Sequence, residues 1–261
     1  MNKKRVLFYA DSPIVHTGFA EVSRSILKSL YKTGQYEIDI LGINHFTPFY
    51  DKEEFPYQIV SSRMKDPGDP YGKKMFLEII LNAPKPYDFI FILNDTFVVH
   101  EMVTKGQFKE IVKQRSPDTK VILYFPIDCQ FPMNAEGMVL AADKSITFTN
   151  WAKKKTLEYL PQVDKTLEVI YHGVDVENYY PLPEKAVKEF REKHFRIQDD
   201  TFLIINVNRN NPRKDLARTI LAFKEFRKRI PDSKLYLHTS LIDQQAVGTP
   251  NATKSDLTVV L

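Results

Sequence analysis

Three cations crowd one short stretch, INVNRNNPRKD at 205–215: Arg209, Arg213 and Lys214. An apolar run at 201–204 precedes it, and an amphipathic pattern at 216–230 follows it. The spacing predicts a strand, a turn and a helix over 212–230, with Asn211 as N-cap and Pro212 at the first helical position. Arg213 and Lys214 then fall in the first helical turn. Unpaired backbone N–H groups and the positive end of the helix dipole already lie there. Each exposed cation costs roughly a few tenths of a kcal/mol at that end, and Asp215 offsets only part of it. The opposite end, KEFRKRI at 224–230, puts cations where the dipole favours them. An anion at the N-terminus resolves the conflict. Helix N–H groups, an arginine fork and a lysine point charge suit a phosphate or diphosphate. The alternative is that these side chains extend into water.

Other polar residues stand where apolar runs end. They are Asp11 to Gly18, Asn94 with Asp95, Asp128, His172 to Asp175, and Asn208 to Lys214. Asp128 either binds hydroxyls in a cleft or caps a turn before Pro132. His16 and the pair Asp199-Asp200 read as loop residues, the pair as solvated charge. The acidic residues show no metal-ligand spacing, so no metal is expected. There is no P-loop, HExxH pair, nucleophile elbow or zinc-type cysteine set.

The elements that position these residues alternate. Apolar runs at 5–10, 36–43, 88–93, 120–126, 144–149 and 166–173 read as strands. Amphipathic segments at 19–34, 75–81, 98–115 (broken near Gly106), 133–143 and 150–160 read as helices, the last with Asn150 as N-cap. Residues 44–72 read as irregular. This βαβ rhythm predicts an α/β fold with a doubly wound parallel sheet, in which ligands bind at the carboxyl ends of strands. The first Rossmann-like domain is expected over 1–173. A linker with a short helix follows over 174–200. A second, incomplete Rossmann-like domain occupies 201–261, with a strand at 201–207, the helix at 212–230 and a strand at 234–238.

The bulk properties exclude several classes. The chain has 261 residues, 43% hydrophobic and 27% charged, with a net charge of +4. That balance fits one or two globular domains and carries no specific nucleic-acid signal. Its single cysteine, Cys129, forbids an internal disulfide. No apolar run approaches a membrane span, and the start reads as a strand and not as a secretory signal. A cytoplasmic protein is expected. Asn251-Ala-Thr253 matches a glycosylation acceptor, which carries little weight without a secretory signal.

NVNRNNPRKDLARTILAFKEF resembles the phosphate-binding segment of the retaining, nucleotide-sugar-dependent group-1 glycosyltransferases of the GT-B fold. That family has a strand, Gly-Arg, four residues, Lys-Gly, and a helix with an Ala-Phe near its middle. Arg209 and Lys214 keep the arginine-to-lysine spacing, and Ala222-Phe223 match the helix pattern. Asn208 and Asp215 stand where the family has its two glycines. VIYHGVDVENYYPL at 169–182 resembles the family's interdomain segment, matched at His172, Gly173, Val174, Asp175 and Pro181. DSPIVHTGFAEVSRSILKSL is similar to the glycine loop after the family's first strand, with Thr17-Gly18 in place of Gly-Gly. After the strand at 120–126, Ile127-Asp128 stands where many members have His-Asp.

The resemblance implies transfer of a sugar from a nucleoside-diphosphate donor to an unknown acceptor with retention. Arg209, Lys214 and Asn210 would bind the donor diphosphate. Thr17 and Gly18 would face donor and acceptor, and Asp128 would join Arg209 and Lys214 in catalysis. The nucleotide sugar is a substrate, so no cofactor is implied. The family's later pair of glutamates, with seven residues between them, has no match after 239. The expectation is therefore a truncated or naturally shortened member. The alternatives are a degenerate module that binds a nucleotide or partner without turnover, and a GT-B enzyme of another kind such as an epimerase. The oligomeric state is left open.

Overall fold

Alternate residues of the first strand are buried on opposite sides of a sheet. In β1 (Lys4–Asp11), Leu7 and Tyr9 enter one apolar cluster, while Val6, Phe8 and Ala10 enter another. Side chains alternate faces along a strand, so both faces of this sheet are covered. The computed structural model describes residues 3–62 and 68–241. The chain divides into two compact units, one through Val174 and one from Asp175.

The first unit holds a seven-stranded sheet, with every pairing parallel. Its elements in chain order are β1, α1 (Gly18–Lys32), β2 (Tyr36–Ile43), β3 (Gln58–Ser61), α2 (Lys73–Asn82), β4 (Phe89–Leu93), α3 (Thr96–Thr104), α4 (Phe108–Arg115), β5 (Lys120–Phe125), α5 (Gly137–Ala141), β6 (Lys144–Thr147), α6 (Asn150–Tyr159) and β7 (Leu167–Val169). The strand order is β3-β2-β1-β4-β5-β6-β7. The chain leaves β1 for β2 and β3 on one side, then returns to lay β4 on the other. Opposite residues in register lock β1 to β4. Phe8 faces Phe91, and their rings stack with centroids 4.8 Å apart.

The break predicted near Gly106 separates α3 from α4. Several boundaries differ from the sequence expectation. The stretch 44–72 contains β3, a four-residue edge strand paired to β2. The helix expected over 133–143 is a single turn, α5, and the strand expected over 166–173 ends at Val169. Helix α6 is capped by Thr149 and not by Asn150. The Thr149 hydroxyl accepts from the Ala152 N–H at 3.1 Å, which makes Asn150 the first helical residue.

In the second unit, α7 (Glu184–Phe190) runs into one π turn that ends at Arg196, a residue at φ 52°. A two-stranded parallel sheet follows, β8 (Phe202–Val207) with β9 (Ser233–His238), joined through α8 (Leu216–Arg229). The helix expected over 212–230 is interrupted at its start. Pro212–Lys214 is a 3₁₀ turn, and α8 begins only at Leu216. Asn211 caps the 3₁₀ turn, while Asp215 caps the α-helix. Arg213 and Lys214 therefore precede the first α-helical turn, and the dipole conflict read from the sequence is relieved. Asn251 and the region of the expected glutamate pair lie outside the described residues.

Candidate functional site

The strand order reverses at β1 and β4, so their carboxyl ends open the crevice in which α/β sheets bind ligands. Asp11 closes β1 and Asn94-Asp95 follows β4. Neighbouring strands lie about 4.8 Å apart, which brings these residues together. Asp128 follows β5, the next strand along.

Asp11 is buried, and its two oxygens are both used. The Thr17 hydroxyl donates to Oδ2 at 2.5 Å, and the Asn44 side-chain amide donates to Oδ1 at 3.1 Å. Burial pushes its pKa up, against the opposing pull of those two hydrogen bonds. Thr17 also caps α1 by accepting from the Ala20 N–H at 3.1 Å. Arg24, one and a half turns into α1, donates from Nε and Nη2 to the Pro13 carbonyl at 3.1 and 2.9 Å. The loop 12–17 is thus held at its middle and its end. Gly18 opens α1 at that point. It is exposed, its φ is ordinary, and a Cβ built there would meet nothing within 4 Å. Neither conformation nor packing in this unit demands a glycine, although glycine in a helix costs about 1 kcal/mol relative to alanine. His16 is exposed on the same loop.

Asp95 is half-buried and occupies the N-cap position of α3, yet its side chain makes no capping hydrogen bond. Its pKa is raised first by burial, then by the fields of Asp128 and Asp11. Asp95 thus feels carboxylates from the two neighbouring strand ends. Perturbed acids in a strand-end crevice mark a functional-site candidate. The neighbouring Asn94 is buried and structural: its N–H donates to the Tyr124 carbonyl and its Oδ1 accepts from the Asp95 N–H at 2.8 Å. Asp128 is exposed, whereas Ile127 is 9% exposed and belongs to the core cluster. The position where the family resemblance places a histidine therefore holds a core side chain here.

Sequence reasoning placed Asp11, Asn94-Asp95 and Asp128 alike at strand ends, but gave a role only to Asp128 and Thr17-Gly18. The available signal was each acid's place directly at the end of a buried strand. Their adjacency depends on strand order, which no local pattern carries.

His172 packs its ring on Phe148, with centroids 4.0 Å apart, and edge-on to Tyr124 at 5.7 Å. Partial burial against these rings lowers its pKa, although the residue is exposed overall. The Tyr124 hydroxyl donates to the Ile170 carbonyl at 2.7 Å and ties this segment to the first unit. Gly173 has open space around it. Asp175 opens the second unit with a turn: its carboxylate accepts from the N–H groups of Glu177 and Asn178 and from the Asn178 side chain at 2.8 Å.

In the second unit, Arg209, Arg213 and Lys214 are exposed around the 3₁₀ turn after β8. Asn210 is 3% exposed, and its amide donates to the Leu241 carbonyl at 2.8 Å, anchoring the loop. Asn211 accepts from the Lys214 N–H at 3.2 Å and closes the turn. Asp215 adopts φ 45°, the left-handed region that favours glycine. Its carboxylate caps α8 through the Arg218 N–H at 3.3 Å and pairs with Arg218 Nε at 3.1 Å. The glycine that the family resemblance places after the lysine thus coincides with a residue of positive φ, and aspartate, one of the few residues to tolerate it, stands there.

Among the described residues, no group of His, Cys, Asp or Glu could hold a metal ion, and no helix is long and apolar enough to cross a membrane. No protein-family model matches the chain, and no curated protein is similar to it in sequence. Solved structures do match. The catalytic domain of starch synthase IV from Arabidopsis thaliana, bound to ADP and acarbose, superposes with a TM-score of 0.59 at 12% identity, over 92% of this chain and 69% of that one. An E. coli trehalose-6-phosphate structure bound with UDP-2-fluoro glucose gives 0.57 at 12% identity, over 91% and 65%. An alpha-glucosyltransferase in complex with UDP and a 13-mer DNA gives 0.52 at 14% identity, over 95% and 60%. The chain therefore spans 60 to 69% of the length of these structures. Likeness at this level of identity is a likeness of fold: the chain has a GT-B glycosyltransferase-like fold.

Proposed function

We propose that the chain belongs to a retaining glycosyltransferase of the group-1 kind, which moves a sugar from a nucleoside-diphosphate donor to a hydroxyl acceptor. In this reading Arg209 and Lys214 hold the donor diphosphate, with Asn210 fixing the loop that carries them. Departure of the leaving group builds negative charge on the diphosphate. Cations held there in advance stabilise the transition state more than the ground state. They take the part that a metal ion plays in other phosphate-handling sites, and no cofactor is needed. Asp128, Asp95 and Asp11 with the Thr17-Gly18 loop serve the acceptor and sugar, and Gly18 keeps space open for them.

The observation that supports this most is the segment after β8. It sets two exposed cations, five residues apart, around a capped 3₁₀ turn, and it has a positive φ where the family resemblance calls for glycine. Three structural neighbours are bound to ADP, to UDP or to a UDP sugar, which agrees with a nucleoside-diphosphate donor. Titration of the full chain with UDP and ADP tests the donor site. A turnover assay then separates a transferase from a module that binds the nucleotide without reaction.

A further inference from the structure

We propose that a cleft at the amino end of β5 binds a small organic monoanion with an apolar body, an aromatic carboxylate being the best match. The site is separate from the crevice at the carboxyl ends of the strands, and it does not depend on the transferase reading.

The cleft lies between α4, the turn into β5 and the turn into β6, and its volume is about 210 Å³. An apolar cavity of about 150 Å³ accepts benzene, so this one has room for a single ring and an acid group. Phe108, Val112 and Val121 are 0, 7 and 4% exposed, and with Ala141 they form an apolar floor. The six residues of β5 rise about 3.3 Å each. They set this floor roughly 15–20 Å from the strand's carboxyl end, where the substrate crevice opens.

The rim above this floor is cationic. Lys109 and Lys113 stand four residues apart on α4, so they share one helix face, where like charges repel. Lys109 also falls in the first turn of α4, the end at which the helix dipole disfavours a cation. Its Nζ donates to the Leu140 carbonyl at 3.3 Å, and Lys113 has no hydrogen bond or ion pair among the described residues. The carboxylate in the lining, Asp143, is already engaged. Its Oδ2 accepts from the Val121 N–H at 2.9 Å, and its Oδ1 lies 3.5 Å from Lys120 Nζ. An anion seated between Lys109 and Lys113 relieves the like-charge pair through charge-assisted hydrogen bonds. The buried floor beneath them favours an anion whose body is apolar, the usual division of labour in a small-molecule site. Asp143 repels a second negative charge, which favours a monoanion over a phosphate ester.

The test uses the full chain at fixed ionic strength with three probes: benzoate, its neutral counterpart benzyl alcohol, and inorganic phosphate. Backbone amide NMR reads where each one binds. Benzoate should bind with a Kd of about 1 mM and shift the amides of Val112, Val121 and Ala141. Benzyl alcohol should bind there about tenfold or more weakly, and phosphate should leave those amides unmoved. Lys109→Met/Lys113→Met keeps the apolar stems at two exposed positions, so the fold is retained. It should weaken benzoate about tenfold or more and leave benzyl alcohol unchanged. Equal benzoate affinity in the variant, equal affinity of the wild type for benzyl alcohol, or no benzoate shift at these amides up to about 10 mM overturns the assignment. Phosphate bound as tightly as benzoate reduces the cleft to a pair of surface cations and overturns it as well.

Discussion

The Thr17 hydroxyl donates to the Asp11 carboxylate while accepting from the Ala20 N–H, so one side chain joins the end of β1 to the start of α1. The loop between them, which carries His16 and leads to Gly18, is fixed by that joint and by Arg24. Loss of the joint should be measurable. Thr17→Val removes a helix cap and one of the two donors to a buried carboxylate, at a cost of about 1–2 kcal/mol. A double-mutant cycle with Asp11→Asn, read by denaturant unfolding, should give a coupling of about 0.5 kcal/mol or more. Additive effects would mean that the short contact contributes nothing.

The three acids predict a titration pattern. The folded pKa values of Asp95 and Asp11 are both raised, with burial the larger cause in each. An acid with a raised folded pKa stabilises the fold fully below its unfolded pKa, near 3.8, and that contribution is lost as pH rises through the folded value. Replacing Asp128 by Asn removes one of the fields on Asp95. Carboxyl NMR should then find the Asp95 pKa lower than in the wild type, yet still above the ordinary value. An unchanged Asp95 would show that the two groups do not interact.

Gly18→Ala separates stability from function. The added methyl meets open space at an ordinary φ, so the variant should fold at least as stably, by up to about 1 kcal/mol. If the loop receives substrate, the same methyl should weaken turnover or acceptor binding. Denaturant unfolding and a transfer assay on one preparation check both halves.

Asp215 carries two roles of opposite sign. Its positive φ costs stability, while its carboxylate caps α8. Asp215→Gly loses the cap and relieves the backbone, for a net change within about 1 kcal/mol. Asp215→Ala loses the cap and keeps the strain, so it should be less stable than the glycine variant by about 1 kcal/mol. Thermal melts of the pair decide it. The reverse order would mean that the left-handed conformation is not held in solution.

Most of the first sheet was legible because its strands are short apolar runs between turn residues, the pattern that burial on both faces imposes. The four residues of β3 were not, since a short edge strand among prolines and aromatics has no period to read. At Thr149-Asn150 either residue type can cap, and only the backbone angles choose between them. Asn211-Pro212 reads as a helix start and is one, but of a 3₁₀ turn, because Asp215 turns left-handed four residues on. Arg213 and Lys214 were legible as an anomaly of charge that the 3₁₀ turn relieves, whereas the pairing of Arg209 with Lys214 came from the family resemblance. The meeting of Asp11, Asp95 and Asp128 was not legible, because it arises from strand order.

The central claim is that Arg209 and Lys214 hold a donor diphosphate. Isothermal titration of UDP and ADP into the full chain and into the Arg209→Ala/Lys214→Ala variant tests it most directly. Each charge-assisted contact is worth about 1.5–3 kcal/mol, so the account predicts binding by the wild type and a loss of about a hundredfold or more in the variant. Equal affinity in the two proteins, or no binding by the wild type, would contradict it.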